Sequence, residues 1–178
     1  MNSEKTIRFA GFGGQGIVKA GQIFGAAAIL AGKNALQNQA YGSSARGGVC
    51  TSDVTVSSDE IYDIEPETFD VLMILSQDSC RTFLHDLKPG GILIVEEDLV
   101  KMPEDYRGDV RSIPATRIAA KDLGRRIVTN MVVLGFLGAL SGLVDRDSLE
   151  KTIAASVPPG TDILNLQAFA EGWKRGQG

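Results

Sequence analysis

Six residues, Gly11-Phe12-Gly13-Gly14-Gln15-Gly16, offer the first chemistry in this chain: a turn able to receive an anion. They match GxGxxG and lie between an apolar run, Thr6–Ala10, and a helix-compatible stretch from Ile17 to Ala31. Glycines let backbone N–H groups approach a phosphate, and a helix N-terminus favours negative charge. The pattern alone is weak, because a tight strand-to-helix turn without a ligand uses the same residues. A dinucleotide fold adds an acid about 20 residues later to hold the ribose hydroxyls. No Asp or Glu occurs between Lys5 and Ser52, where Lys5, Arg8, Lys19, Lys33 and Arg46 give +5 in a chain of net charge −4. That argues against NAD bound in the usual way and suits a phosphate-bearing ligand or an acidic partner surface.

A second glycine-rich stretch, Tyr41-Gly42-Ser43-Ser44-Ala45-Arg46-Gly47-Gly48, surrounds a single charged residue. An arginine projecting from a shaped turn near the first glycine motif would face an anion or a partner's carboxylate. Other reactive residues read as structural. His85, the sole histidine, sits beside Asp86 on a short helix and is expected to be exposed. Glu96-Glu97-Asp98 follows a strand end and reads as a solvated turn outside the site. Cys50 and Cys80 are thirty positions apart with no CxxC, so a four-cysteine iron–sulfur site cannot form on this chain; two buried, reduced thiols are expected.

The elements that position these residues alternate between strand and helix. Thr6–Ala10, Ala35–Gln39, Val49–Val56, Asp70–Leu75 and Ile92–Val95 read as strands. Ile17–Ala31, Ser79–Leu87, Ala115–Leu123, Met131–Val144, Ser148–Ser156 and Leu164–Trp173 read as helices. Pro89-Gly90-Gly91 reads as a helix stop and turn. Gly21 and Gly25, continued by Ala28 and Gly32, form a small-residue stripe that lets the first helix approach a sheet. Gly135, Gly138 and Gly142 serve close helix packing in the same way. Ile127–Val144 carries no charge, but only about four turns are helical, too short to span a bilayer of about 20 residues. The expectation is a single domain, residues 1–178, of three-layer α/β/α type with a mainly parallel, Rossmann-like sheet. Few aromatics and an acidic balance exclude a nucleic-acid-binding class, and Met1–Lys5 leads directly into a strand with no signal peptide, so a cytoplasmic location is expected.

The two glycine motifs, with Phe9-Ala10 before the first, resemble the gamma subunit or gamma-like domain of the 2-oxoacid:ferredoxin oxidoreductases. The similarity continues through Pro114-Ala115-Thr116 and Asn130-Met131-Val132-Val133-Leu134-Gly135. Many relatives carry an acid where Ser44 stands here. The resemblance implies an enzyme, of 2-oxoglutarate type, that turns a 2-oxoacid and coenzyme A into acyl-CoA and carbon dioxide and sends two electrons to ferredoxin. It implies that thiamine diphosphate, Mg2+ and 4Fe-4S clusters reside on alpha and beta subunits, with a ferredoxin-like delta subunit as a further candidate partner. It also implies that this chain, inactive alone, serves assembly and the coenzyme A region. The contact residues so implied are Gly11, Gly13, Gly14, Gln15, Gly16, Tyr41, Arg46, Gly47 and Gly48. The alternative is a free-standing NAD(P) dehydrogenase or SAM methyltransferase. Phe69–Ile74 and Leu87–Val95 look like strands of the latter, but its acids after the first and second strands are missing.

Overall fold

The computed structural model describes residues 4–42 and 48–178, so the expectations placed on Arg46 and Gly47 lie outside the described residues. Six strands, β1 (Lys5–Phe12), β2 (Asn34–Tyr41), β3 (Val49–Ser57), β4 (Phe69–Ile74), β5 (Leu87–Glu96) and β6 (Val110–Ile113), form one sheet in the order β2-β3-β1-β4-β5-β6. The pairings β1·β4, β4·β5 and β5·β6 are parallel. Strand β3 alone runs against the rest, antiparallel to both β1 and β2.

Side chains alternate across the pleat and feed two cores. Ile7, Phe9, Val71, Met73 and Ile94 face a thick layer made by α1 (Ile17–Leu30), α4 (Thr129–Ser141), α5 (Arg146–Ser156) and α6 (Asp162–Gly176). Ala10, Leu72, Ile74, Leu93 and Val95 face a thin layer of α2 (Gln77–Phe83) and the stretch holding Val100, Met102 and Tyr106. The fold is therefore three-layered and α/β, with five of the six strands pointing one way.

The small-residue stripes work at close range, except that Gly32 falls beyond the end of α1 at φ 80 with nothing near it. A Cβ on Gly21 would strike Ser52 Oγ, and one on Gly25 would sit 3.7 Å from Val54. Helices α4 and α6 approach more closely still: a Cβ on Gly172 would collide with the Val132 carbonyl, and one on Gly135 with the Phe169 carbonyl. The apolar helix is buried inside the protein against α6, with Asn130–Gly138 enclosed. Gly142 does not join this packing; it ends α4 at φ 58 with nothing close to it.

Three elements differ from the sequence reading. Lys88–Gly91 is not a turn before a strand but part of β5, where the β4 register jumps from Phe69↔Leu87 to Val71↔Ile92. The proline is accommodated at this irregularity, where no regular ladder bond is required. Strand β6 has no counterpart in the sequence reading; with only Val110 and Ile113 apolar, it shows no strand-length pattern. Ala115–Leu123 is a short turn, α3 (Ala115–Arg117), continued by a π-helical turn over Ile118–Asp122. Asp70, beneath that register jump, accepts from Lys5 and Lys88 at 2.9 and 2.8 Å and from the Thr6 N–H at 3.0 Å. Burial pushes its carboxyl up, but Lys88, the Thr6 amide and Lys5 overcome this and hold it well below the usual carboxylate range.

Three of the five positive charges before Ser52 are absorbed by the fold. Lys5 pairs with Asp70, and Arg8, 14% exposed, pairs with Asp53 and Asp86 while lying 4.1 Å over the Phe69 ring. Lys33 donates to the Leu143 carbonyl at 2.6 Å. The imbalance seen along the sequence thus reflects partners that arrive later in the chain, and it gives little support to an external anion.

Candidate functional site

Parallel strands deliver their C-terminal ends to one edge of a sheet, and α/β sites form there. Strand β1 reaches that edge at Phe12 and turns through Gly13–Gly16 into α1. Gly14 and Gly16 have φ of 89° and 75°, so the turn needs residues without a Cβ at these two positions. Gln15 fastens the turn to the sheet: its Oε1 accepts from the Phe12 N–H at 2.6 Å, and its Nε2 donates to the Leu75 carbonyl at 3.0 Å. Gly11 leaves room for this side chain and for Ile17. Gly13 is different. It is exposed, and a Cβ there would meet nothing within 4 Å, so nothing inside the described chain requires a glycine.

Two adjoining cavities of about 410 and 450 Å³ flank the turn. One is lined by Gly13, Gly14, Gln15, Thr116, Arg126, Ile127 and Thr129. Gln15 and Arg126 also border the other, with Phe12, Ser76 and Leu99. Arg126 makes no ion pair among the described residues, which leaves a cation at the mouth of the glycine turn. Ile127, 84% exposed, and Leu99, 36% exposed, add apolar surface at the same place. The arrangement suits a ligand or partner group with both an anionic and an apolar part. Of the expected site residues, Gly11, Gly13, Gly14, Gln15 and Gly16 are brought together. Tyr41 and Gly48 approach through the strand register: Cys50 lies between Gly11 and Tyr41, and Val49 pairs with Phe12. The two described ends of the second glycine motif therefore lie at the same sheet edge, Gly48 about one strand spacing (roughly 5 Å) and Tyr41 about two (roughly 10 Å) from β1.

Thr116, Arg126 and Thr129 were absent from the sequence expectations. A signal was available for one of them: Pro114-Ala115-Thr116 carries the family resemblance, and Thr116 borders this cleft. Asn130 itself packs behind the turn, where a Cβ on Gly16 would reach it. Glu96 was misread as part of a solvated turn. It is fully buried, and its two oxygens accept from the Thr116 N–H at 2.9 Å and the Asp98 N–H at 2.8 Å, anchoring the segment that bears Thr116. Glu97 and Asp98 are exposed and pair with Arg117. His85 is exposed beside Asp86, as its position suggested.

The two thiols lie on opposite faces of the sheet, Cys50 in the thick-layer core and Cys80 in the thin-layer core, so they cannot ligate one cluster. Burial pushes both thiols above their usual pKa. No group of three or more His, Cys, Asp or Glu suited to a metal occurs among the described residues. A dinucleotide site of the usual kind lacks its geometry as well. Strand β3 separates β2 from β1, so the end of β2 stands a strand away from where a ribose carboxylate belongs, and Tyr41 occupies that end.

The protein is an open α/β sheet with a glycine turn and a cation-bordered cleft at its carboxyl edge. The chain belongs to the pyruvate ferredoxin/flavodoxin oxidoreductase family, whose family model matches residues 6–175. It is 45% identical over 178 residues to the 2-oxoglutarate synthase subunit KorC of Methanocaldococcus jannaschii, covering 98% of this chain and 95% of that one. It is also 34% identical to the ketoisovalerate oxidoreductase subunit VorA of Methanothermobacter thermautotrophicus, covering 97% of this chain but 37% of that longer one. Among solved structures, the keto/oxoacid ferredoxin oxidoreductase gamma subunit of Geobacter sulfurreducens superposes with a TM-score of 0.86 at 38% identity, covering 97% and 98% of the two chains. The 2-oxoglutarate:ferredoxin oxidoreductase of Magnetococcus marinus, with 2-oxoglutarate, coenzyme A and succinyl-CoA bound, shares the fold at a TM-score of 0.89 and 24% identity, over 32% of that chain. The expected gamma-type oxidoreductase subunit is thus what the chain is, and the free-standing dehydrogenase or methyltransferase is set aside. No helix among the described residues is long and apolar enough to cross a membrane.

Proposed function

We propose that this chain is the gamma subunit of a cytoplasmic 2-oxoglutarate:ferredoxin oxidoreductase and contributes the Gly13–Gly16 cleft to the coenzyme A region of the assembled enzyme. The observation that carries the substrate class is the near-full-length similarity, at 45%, to a subunit named for 2-oxoglutarate synthase. Support for the cleft is physical. The turn exposes Gly13 with open space around it, and Arg126 supplies a cation beside apolar Ile127 and Leu99. Those features suit coenzyme A, a substrate with phosphates at one part and an apolar arm at another.

In this reading Gly11, Gly14, Gln15 and Gly16 shape the turn, Gly13 is approached closely, and Arg126 neutralises a phosphate. Tyr41 and Gly48 lie at the same sheet edge and extend the contact; Arg46 and Gly47, assigned to it by the family resemblance, lie outside the described residues. Thiamine diphosphate with Mg2+ and the 4Fe-4S clusters supply the decarboxylation and electron transfer from alpha and beta subunits, and from a delta subunit where one is present. In this reading this chain's own groups hold and orient. The test is purification of the tagged chain from its native host, with co-purifying subunits identified by mass. We expect thiamine- and cluster-bearing partners in fixed ratio, and no viologen reduction by the chain alone with 2-oxoglutarate, coenzyme A and thiamine diphosphate. Turnover by the isolated chain would contradict the subunit reading.

A further inference from the structure

Strand β2 forms one edge of the sheet and pairs with β3 over eight consecutive residues without a bulge. Its sequence, Asn34 to Tyr41, has no charge and no proline. Among the described residues, no other segment's backbone hydrogen-bonds to its outer side. An open row of N–H and C=O groups of this kind recruits another strand, and proteins usually guard it with charge, proline or brevity. The opposite edge is guarded: β6 has only four residues and carries Arg111, paired with Asp109.

The surroundings of β2 point the same way. Among the described residues eight large hydrophobic residues are exposed; one lies in this strand and four on the helix before it or on a segment hydrogen-bonded to it. Tyr41, 64% exposed, ends it; Ile29 and Leu30 close the helix that leads into it; Tyr62 and Ile64, 81% and 62% exposed, lie on a segment tied to it. The ties are Asn34 Nδ2 to the Asp59 carbonyl at 2.8 Å and Asn38 Nδ2 to the Ile64 carbonyl. That segment also carries Asp59, Glu60, Asp63, Glu65 and Glu67, none of which makes an ion pair among the described residues.

We infer that the β2 edge receives an extended segment of another subunit of the complex, one that bears Lys or Arg where it passes the acidic stretch 59–67. Backbone pairing would supply the register, Tyr41, Tyr62 and Ile64 the apolar burial, and the unpaired carboxylates the choice of partner. A second copy of this chain suits the edge poorly. Antiparallel pairing of two β2 strands about a twofold axis sets both acidic segments on the same face of the joined sheet, where like charges repel. The inference rests on the subunit reading but concerns a surface distinct from the glycine cleft.

The experiment compares amide hydrogen exchange in the free chain and in the complex purified from the native host, with carbodiimide coupling of carboxylates to lysines on the same complex. We expect β2 amides to slow at least tenfold on assembly and a residue within 59–67 to couple to a lysine of a different subunit. The triple variant Asp59→Lys/Glu65→Lys/Glu67→Lys should leave the free chain's melting temperature unchanged and cut its retention in the complex about tenfold or more. An assembled complex whose β2 amides exchange at the free-chain rate, or coupling between two copies of this chain, would overturn the inference alone. Failure of any complex to form would overturn the subunit reading along with it.

Discussion

Glycine is used in two opposite ways in this molecule, in the turn before α1 and in the contact between α4 and α6. In the helix pair, Gly135 and Gly172 are set against backbone: a Cβ on either would overlap a carbonyl of the facing helix. In the turn, Gly13 and Gly14 have nothing within 4 Å of where a Cβ would be. The first use is accounted for within the chain, since the helices could not approach so closely otherwise. The second is accounted for by backbone conformation at Gly14 and Gly16, and at Gly13 by nothing among the described residues. A run of glycines in a sequence does not distinguish these cases; the space around each residue does.

Substitution should separate the two uses, beginning with the helix pair. Gly172→Ala forces α6 away from the Val132 carbonyl, and overpacking of this severity costs about 3 kcal/mol. The gain in helix propensity returns about 1 kcal/mol. The net loss of about 2 kcal/mol should lower the melting temperature by roughly 4–8 °C in a chain of this size, measured by calorimetry. Gly16→Ala keeps the helix pair intact but places a Cβ at φ 75° against Asn130. Left-handed strain of about 1 kcal/mol should lower the melting temperature by roughly 2–4 °C.

Gly13→Ala stands at the other end. It meets open space, so the melting temperature of the isolated chain should stay within the spread of a neutral surface change, roughly 0.5 kcal/mol. The assembled enzyme carrying it should nevertheless lose about tenfold in apparent affinity for coenzyme A, equivalent to about 1.4 kcal/mol. Unchanged coenzyme A kinetics with Gly13→Ala would show that the turn is only a turn, and the contrast between the two glycine sets would collapse to packing versus backbone geometry.

The sequence made some of this legible and left the rest hidden for physical reasons. The strand–turn–helix at the start of the chain and the buried helix at Met131 are local patterns, readable from apolar runs and glycine spacing. The antiparallel β3 is not local. Val49–Val56 looks the same whichever way it runs, and its insertion between β1 and β2 depends on pairing across the whole sheet. Glu96 was missed because its partners, the Thr116 and Asp98 amides, include one twenty residues away, and a carboxylate buried by backbone N–H groups has no sequence signature. Arg126 was missed for a related reason: it enters the cleft from the turn before α4, and only the fold brings that turn to the carboxyl end of β1. The +5 segment misled in the other direction, since the carboxylates that neutralise Lys5 and Arg8 come from β3, β4 and the turn after α2.

The central claim, that this chain is one non-catalytic part of a 2-oxoglutarate-oxidising enzyme, is tested most directly by substrate-dependent turnover of the native complex. Viologen or ferredoxin reduction would be followed with 2-oxoglutarate, pyruvate, ketoisovalerate and indolepyruvate, each with and without coenzyme A. The account predicts coenzyme A-dependent turnover with 2-oxoglutarate at least tenfold above the other acids in kcat/KM, and none from the separated chain. A complex that prefers another 2-oxoacid, or reduction by this chain in isolation, would contradict it.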